Sequence, residues 1–212
     1  MSERCLVFDL DGTLMDSRLD IANAANMVRR VYGLEPLPLE TVASYTGDGL
    51  MKLTERILQG TKIMPEEAYE TMEDAFRANL NLTATLYPGV LPTVRALKAG
   101  GWKLTVLSNK NEDFCKACLY DLGIGGDFEY IIGASEGFPK KPDPGGLELI
   151  CDLFGIRDPS ASWIIGDGAQ DMAAGRLAGF RRCYASYGFG DLKDETYDLK
   201  INQFSDLKEI LL

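Results

Sequence analysis

Four polar clusters in the 212-residue chain carry residue types that could do chemistry together. They are Asp9-Leu10-Asp11-Gly12-Thr13, Ser108-Asn109-Lys110, Lys140-Lys141-Pro142-Asp143-Pro144 and Gly166-Asp167-Gly168-Ala169-Gln170-Asp171. The first supplies two carboxylates two residues apart, which an extended strand points to one side. The last supplies two more at i and i+4, on one side of a helix start. So many carboxylates in one crevice repel unless a cation sits among them. Oxygen-only ligands favour a hard ion, Mg²⁺ over zinc. The middle clusters add a hydroxyl, an amide and an ammonium, donors suited to phosphate oxygens. Together these groups describe phosphoryl transfer.

Composition narrows the alternatives. The chain has no histidine. That excludes Ser-His-Asp and Cys-His catalysis, an HExxH zinc site and a histidine base. Acid–base work falls to Asp, Glu, Lys, Tyr or Cys. With 22 Lys and Arg against 32 Asp and Glu, the net charge is −10. This balance argues against nucleic-acid and anionic-membrane partners, which need a basic face. An anion can still bind where a local cation or metal reverses the field. No apolar run approaches the roughly 20 residues of a membrane span. The N-terminal MSERCLVFDLDG turns acidic too early for a secretory signal. The odd, scattered set of five cysteines fits a reducing cytoplasm better than a disulfide framework. Cys115 and Cys118 have CxxC spacing without a second pair, so packed helix thiols are expected.

The elements that must position these clusters follow from the apolar pattern. Residues 4–8 read as a buried strand running into the first cluster. Helical periodicity covers 17–33, with further helices near 39–45, 48–59 and 65–80. No strand-like run appears between about 16 and 85. After Tyr87-Pro88-Gly89 the pattern alternates. Strands are expected at 102–107, 128–133, 162–166 and 181–186. Helices are expected at 90–99, 111–122, 144–154, 169–178 and 205–211. Alternation of this kind implies a parallel sheet with helices on both faces. Ligands bind beyond the carboxyl ends of such strands, so the four clusters are expected to converge there. The expected fold is α/β, a Rossmann-like parallel sheet with an inserted all-helical block. The core domain would comprise 1–15 and 86–212, and the inserted domain 16–85.

Asp9-Leu10-Asp11-Gly12-Thr13-Leu14-Met15-Asp16-Ser17 closely resembles the first motif of the haloacid dehalogenase-like phosphatases. Ser108, Lys141 in Lys-Pro-Asp-Pro, and GDxxxD at 166–171 match the second to fourth motifs in order and approximate spacing. The resemblance covers the whole chain, including a helical cap between the first two motifs. It implies that Asp9 is a nucleophile forming an aspartyl-phosphate. It implies that Asp11 is the general acid and then the base, and that its main-chain carbonyl joins Asp9 and Asp167 around Mg²⁺. Asp171 would ligate the metal or support it. Ser108 and Lys141 would hold phosphoryl oxygens, with Thr13 and Asn109 lining the site. Gly168 departs from the family pattern, where serine often stands. Lys110 and Lys140 read as solvated neighbours, and Asp143 as a turn or capping residue.

The phosphoryl machinery serves any ester, so substrate choice is expected in the insertion. Residues 45–56, a glycine-containing turn entering a helix, resemble the cap loop of phosphoglycolate phosphatases. Thr46, Gly47, Lys52 and Arg56 are the candidate specificity residues, with the cations receiving a small carboxylate. The resemblance thus implies an Mg²⁺-dependent phosphatase acting on a small phosphorylated metabolite, first of all 2-phosphoglycolate. A pyrophosphatase or nucleotidase stands as an alternative. A β-phosphoglucomutase-like enzyme is a further one, although its cap usually carries a histidine. A non-catalytic scaffold would not need the intact motif residues. The expected state is a cytoplasmic monomer or homodimer.

Overall fold

A computed structural model describes residues 4–212. The expected core segment 1–15 therefore begins with three residues outside the described range, as does the start of the stretch read against a secretory signal. Strand β1 (Cys5–Phe8) leads through the first cluster to a two-residue strand, β2 (Met15–Asp16). Four helices follow: α1 (Arg18–Val31), α2 (Leu39–Ala43), α3 (Leu50–Ile57) and α4 (Pro65–Ala78). The chain returns through β3 (Thr85–Leu86). Then come α5 (Val90–Ala99), β4 (Lys103–Asn111), α6 (Glu112–Asp121), β5 (Tyr130–Ala134), α7 (Gly145–Phe154) and β6 (Trp163–Gly166). Helix α8 (Ala169–Ala178), β7 (Arg181–Ala185), β8 (Leu199–Ile201) and α9 (Asp206–Leu211) complete the order.

Among the described residues, six strands form one sheet in the order β5-β4-β1-β6-β7-β8, and every pairing in it is parallel. The first strand is central: Leu6 pairs with Leu104 on one side and Trp163 on the other. Its residues alternate between two cores, as strand pleating requires. Leu6 and Phe8 join the core with Leu104, Val106 and Phe204. Cys5 and Val7 join the opposite core with Leu107, Leu147 and Ile164. A sheet buried on both faces needs continuous apolar strands, and β1 and β6 are buried throughout.

Helices α1 to α4 pack around their own core of Ile21, Ala25, Val28, Leu53, Ile57 and Met72. They leave and re-enter the rest of the chain through β2 and β3, which pair antiparallel, Met15 with Leu86 and Asp16 with Thr85. The buried Asp20 carboxylate fastens α1 to the returning chain. It accepts Thr83 N–H at 2.9 Å, Thr83 Oγ–H at 2.5 Å and Ala84 N–H at 3.1 Å. This short ribbon and β8 were not expected from sequence. Strand β4 also runs past the expected 107, so that Ser108, Asn109 and Lys110 sit on the strand itself. Cys115 and Cys118 are buried free thiols on α6, as expected. Among the described residues no helix is long and apolar enough to cross a membrane.

Candidate active site

The four clusters meet at the carboxyl ends of β1, β4 and β6, around a cavity of about 330 Å³ roofed by the helical block. Lys141 is its electrostatic centre. Its side chain is only 3% exposed. Its Nζ lies 3.0 Å from Asp9 Oδ1 and 2.6 Å from Asp171 Oδ1, and donates to the Leu107 carbonyl at 2.6 Å. A buried ammonium survives only among such partners. The segment carrying it is held by the Asn109 amide. Asn109 Nδ2 donates to the Lys141 carbonyl at 2.7 Å, and Asn109 Oδ1 accepts Lys141 N–H at 2.8 Å.

Asp9, Asp167 and Asp171 each offer a carboxylate oxygen, and these oxygens lie within 4.8 Å of one another. Burial and the neighbouring negative charges push the Asp9 carboxyl up to about 6, against the pull of Lys141. Asp167 is raised too, by burial and by Asp9 and Asp171. Three carboxylates stand against the single Lys141 ammonium, so the cluster is short of positive charge. Asp167 is fixed through Oδ2, which accepts Phe189 N–H at 2.9 Å and Gly190 N–H at 2.7 Å. Those bonds leave its other oxygen for a cation. Asp171 stands in the first turn of α8 and accepts Gly168 N–H at 3.2 Å, a helix-start contact that orients it. An all-oxygen, charge-deficient set of this kind fits a hard divalent cation.

Gly12 lets the loops that follow the neighbouring strands β1 and β6 approach closely. Its φ is +82°, and a Cβ there would lie 1.9 Å from Asp167 Oδ2. Only glycine permits both the left-handed turn and the close approach. Asp11 does not join the acidic cluster through its carboxylate. Oδ1 accepts Ser17 Oγ–H at 2.5 Å, and Lys110 Nζ stands 3.0 Å from Oδ1 and 3.2 Å from Oδ2. Asp11 still lines the cavity, as do Ser108 and Asn109. Thr13 is fully buried with no partner for its hydroxyl, while Tyr187 Oη–H donates to its carbonyl at 2.8 Å.

The helical block contributes the loop before α3. Asn109 Nδ2 donates to the Gly47 carbonyl at 2.9 Å, and Gln170 Nε2 donates to Asp48 Oδ1 at 2.7 Å. Thr46, Gly47 and Arg56 line the cavity. Arg56 pairs with Asp48 and donates to the Tyr45 carbonyl at 2.6 Å. Lys52 does not line it: the side chain is 55% exposed and pairs with Glu55 at 2.7 Å. Lys140 is exposed, as expected, and Asp143 accepts Gly145 N–H at the start of α7. Lys110 corrects the sequence reading, for it is buried against Asp11. Sequence reasoning also missed Ser17, Asp48 and Gln170 as partners within the site. All three lie inside the motif stretches, as polar residues whose contacts the sequence alone does not mark.

The chain matches the haloacid dehalogenase-like hydrolase family over residues 6–185. It is 33% identical to a phosphoglycolate phosphatase of Chromobacterium violaceum, covering 98% of this chain and 96% of the relative. It is 34% identical to one of Aquifex aeolicus, again over 98% and 96%. The crystal structure of a predicted phosphoglycolate phosphatase from Haemophilus somnus superposes with a TM-score of 0.91 at 26% identity, over 100% of this chain and 99% of the other. The chain belongs to the haloacid dehalogenase-like hydrolases and is, within that family, a phosphatase, a phosphoric monoester hydrolase.

Proposed function

We propose that the chain is an Mg²⁺-dependent phosphatase that hydrolyses 2-phosphoglycolate through an aspartyl-phosphate. The observation that carries this reading is the buried Lys141 between Asp9 and Asp171, beside Asp167 and across one cavity from Asp11. The Asp9 carboxylate attacks phosphorus, and Lys141 holds both the nucleophile and the phosphoryl oxygens at close range. Asp11 gives a proton to the leaving oxygen and then takes one from water. The Ser108 hydroxyl binds a phosphoryl oxygen, and Asn109 acts by fixing Lys141 and the Gly47 loop. Asp9, Asp167 and the Asp11 main-chain carbonyl would hold the metal, with Asp171 in support. When bound, Mg²⁺ supplies the positive charge that lets two anions meet. The helical block serves as a cap that excludes water.

The names of the relatives support the substrate, and the cap supplies Arg56 as the lining cation for its carboxylate. Five free cysteines support a reducing, cytoplasmic setting, and the enzyme is proposed to act there as a monomer or homodimer. The test is phosphate release with Mg²⁺ from 2-phosphoglycolate, pyrophosphate, nucleotides and a hexose 1-phosphate, each with Asp9→Asn as control. We expect 2-phosphoglycolate to give the highest kcat/KM and Asp9→Asn to abolish turnover. Turnover that survives Asp9→Asn overturns the mechanism. A higher kcat/KM for another ester overturns the substrate.

A further inference from the structure

We propose that Lys110 is a positioning residue for Asp11, holding its carboxylate toward the reacting oxygen while the cap shields the pair. This inference rests on the aspartyl-phosphate reading above.

Lys110 lies near the carboxyl end of β4, two residues past Ser108. Its side chain is only 8% exposed in a protein where surface lysines are plentiful. Burying an ammonium needs a matched anion, and Asp11 is the anion it meets, through both carboxylate oxygens. Ser17 Oγ–H donates to the same Oδ1. Three contacts from two residues fix the carboxylate's rotation. The Lys110 ammonium also stands 6.0 Å over the Phe76 ring, which comes from α4 of the helical block. Phe76 stacks at 6.5 Å on Phe114 of α6, so the shield spans both parts of the chain. A cation on an aromatic face is favoured where water is excluded.

In the first half-reaction an Asp9 oxygen bonds to phosphorus and the ester P–O bond breaks. The departing oxygen takes the Asp11 proton, leaving an alcohol and the Asp11 carboxylate. In the second half, water gives a proton to that carboxylate and its oxygen bonds to phosphorus. The P–O bond to Asp9 breaks, releasing phosphate and restoring the Asp9 carboxylate. Both halves need the Asp11 carboxyl at one place, and Lys110 and Ser17 supply that constraint.

The contribution should therefore depend on the leaving group. An alkoxide needs the Asp11 proton, whereas p-nitrophenolate leaves without it. For Lys110→Met we expect kcat/KM on 2-phosphoglycolate to fall about 100-fold, the loss typical of a misplaced catalytic group. On p-nitrophenyl phosphate kcat/KM should stay within about threefold, while kcat falls and a burst of nitrophenolate appears because water activation is slowed. Ser17→Ala should show the same pattern more weakly, and it keeps the test open if Lys110→Met folds poorly. In an Asp11→Asn background, Lys110→Met should cost nothing further on 2-phosphoglycolate, since the two act as one unit. Equal losses on both substrates, or additive losses in the double variant, overturn the inference. Those results leave the parent reading standing if Asp9→Asn is dead. An active Asp9→Asn removes the parent reading itself.

Discussion

Gly12→Ala is the substitution whose effect the site determines most fully. The new Cβ would sit 1.9 Å from Asp167 Oδ2, where ordinary contact begins near 3.4 Å. The carboxylate must therefore retreat by about 1.5 Å. It has nowhere to go. Gly188 and Gly190 crowd it as well, so closely that a Cβ at Gly188 would meet Asp167 Cβ at 2.4 Å. Moving also breaks the bonds from Phe189 and Gly190, at 2.9 and 2.7 Å. The left-handed backbone adds about 1–2 kcal/mol for any L-residue. Losing one to two charge-assisted hydrogen bonds adds about 1.5–3 kcal/mol. The sum, about 2.5–5 kcal/mol, should lower Tm by about 10 °C for a chain of this size. Metal binding should weaken about 10- to 100-fold, because a fixed oxygen ligand is displaced. Differential scanning calorimetry and Mg²⁺ titration calorimetry read the two effects separately. A Tm within about 2 °C of the parent, with unchanged Mg²⁺ affinity, would refute the reasoning.

Two more predictions concern stability. Asp20→Ala removes the acceptor of three hydrogen bonds and leaves the buried Ala84 N–H without its partner. Urea unfolding should show a loss of about 2–4 kcal/mol, and Asp20→Asn a smaller one; an unchanged midpoint would show that the helical block is held in some other way. The metal-free protein should lose stability as pH rises from 4 to 7 through Asp9, whose carboxyl titrates near 6 against 3.8 when unperturbed. The folded state holds that proton more tightly than the unfolded one, so about 3 kcal/mol present at low pH is lost as pH passes 6. Mg²⁺ replaces the proton as the source of positive charge. The rise in Tm on adding Mg²⁺ should be larger at pH 7.5 than at pH 5, and the reverse order would contradict the charge deficit.

Much of the site was legible because its residues follow buried strands directly. Asp9 comes straight after Phe8, and Asp167 straight after Gly166. An apolar run followed by carboxylates shows in a sequence, and parallel topology then brings such ends together. Lys110 was not legible. Nothing in Ser-Asn-Lys-Asn tells a solvated lysine from one whose ammonium faces the ring of Phe76, 34 positions earlier. Lys52 and Arg56 stand four residues apart on α3, and sequence alone favoured Lys52 as the specificity cation. The structure separates them, because the loop before α3 turns Arg56 inward onto Asp48 and leaves Lys52 with Glu55. Strands β2, β3 and β8 carry two or three residues each, too few for a period to show.

The β2–β3 ribbon has a consequence for how such a protein can change. The chain departs at Asp16 and comes back at Thr85 on directly paired positions. Seen from the sheet, the whole helical block is a single loop closed at its base. Closing a longer loop costs only logarithmically more, about 0.6 kcal/mol for each doubling of length. The sheet is therefore nearly indifferent to the size of what is spliced in at this doorway. A different block could hang from the same two strands, and the phosphoryl chemistry below would keep its geometry while its clientele changed.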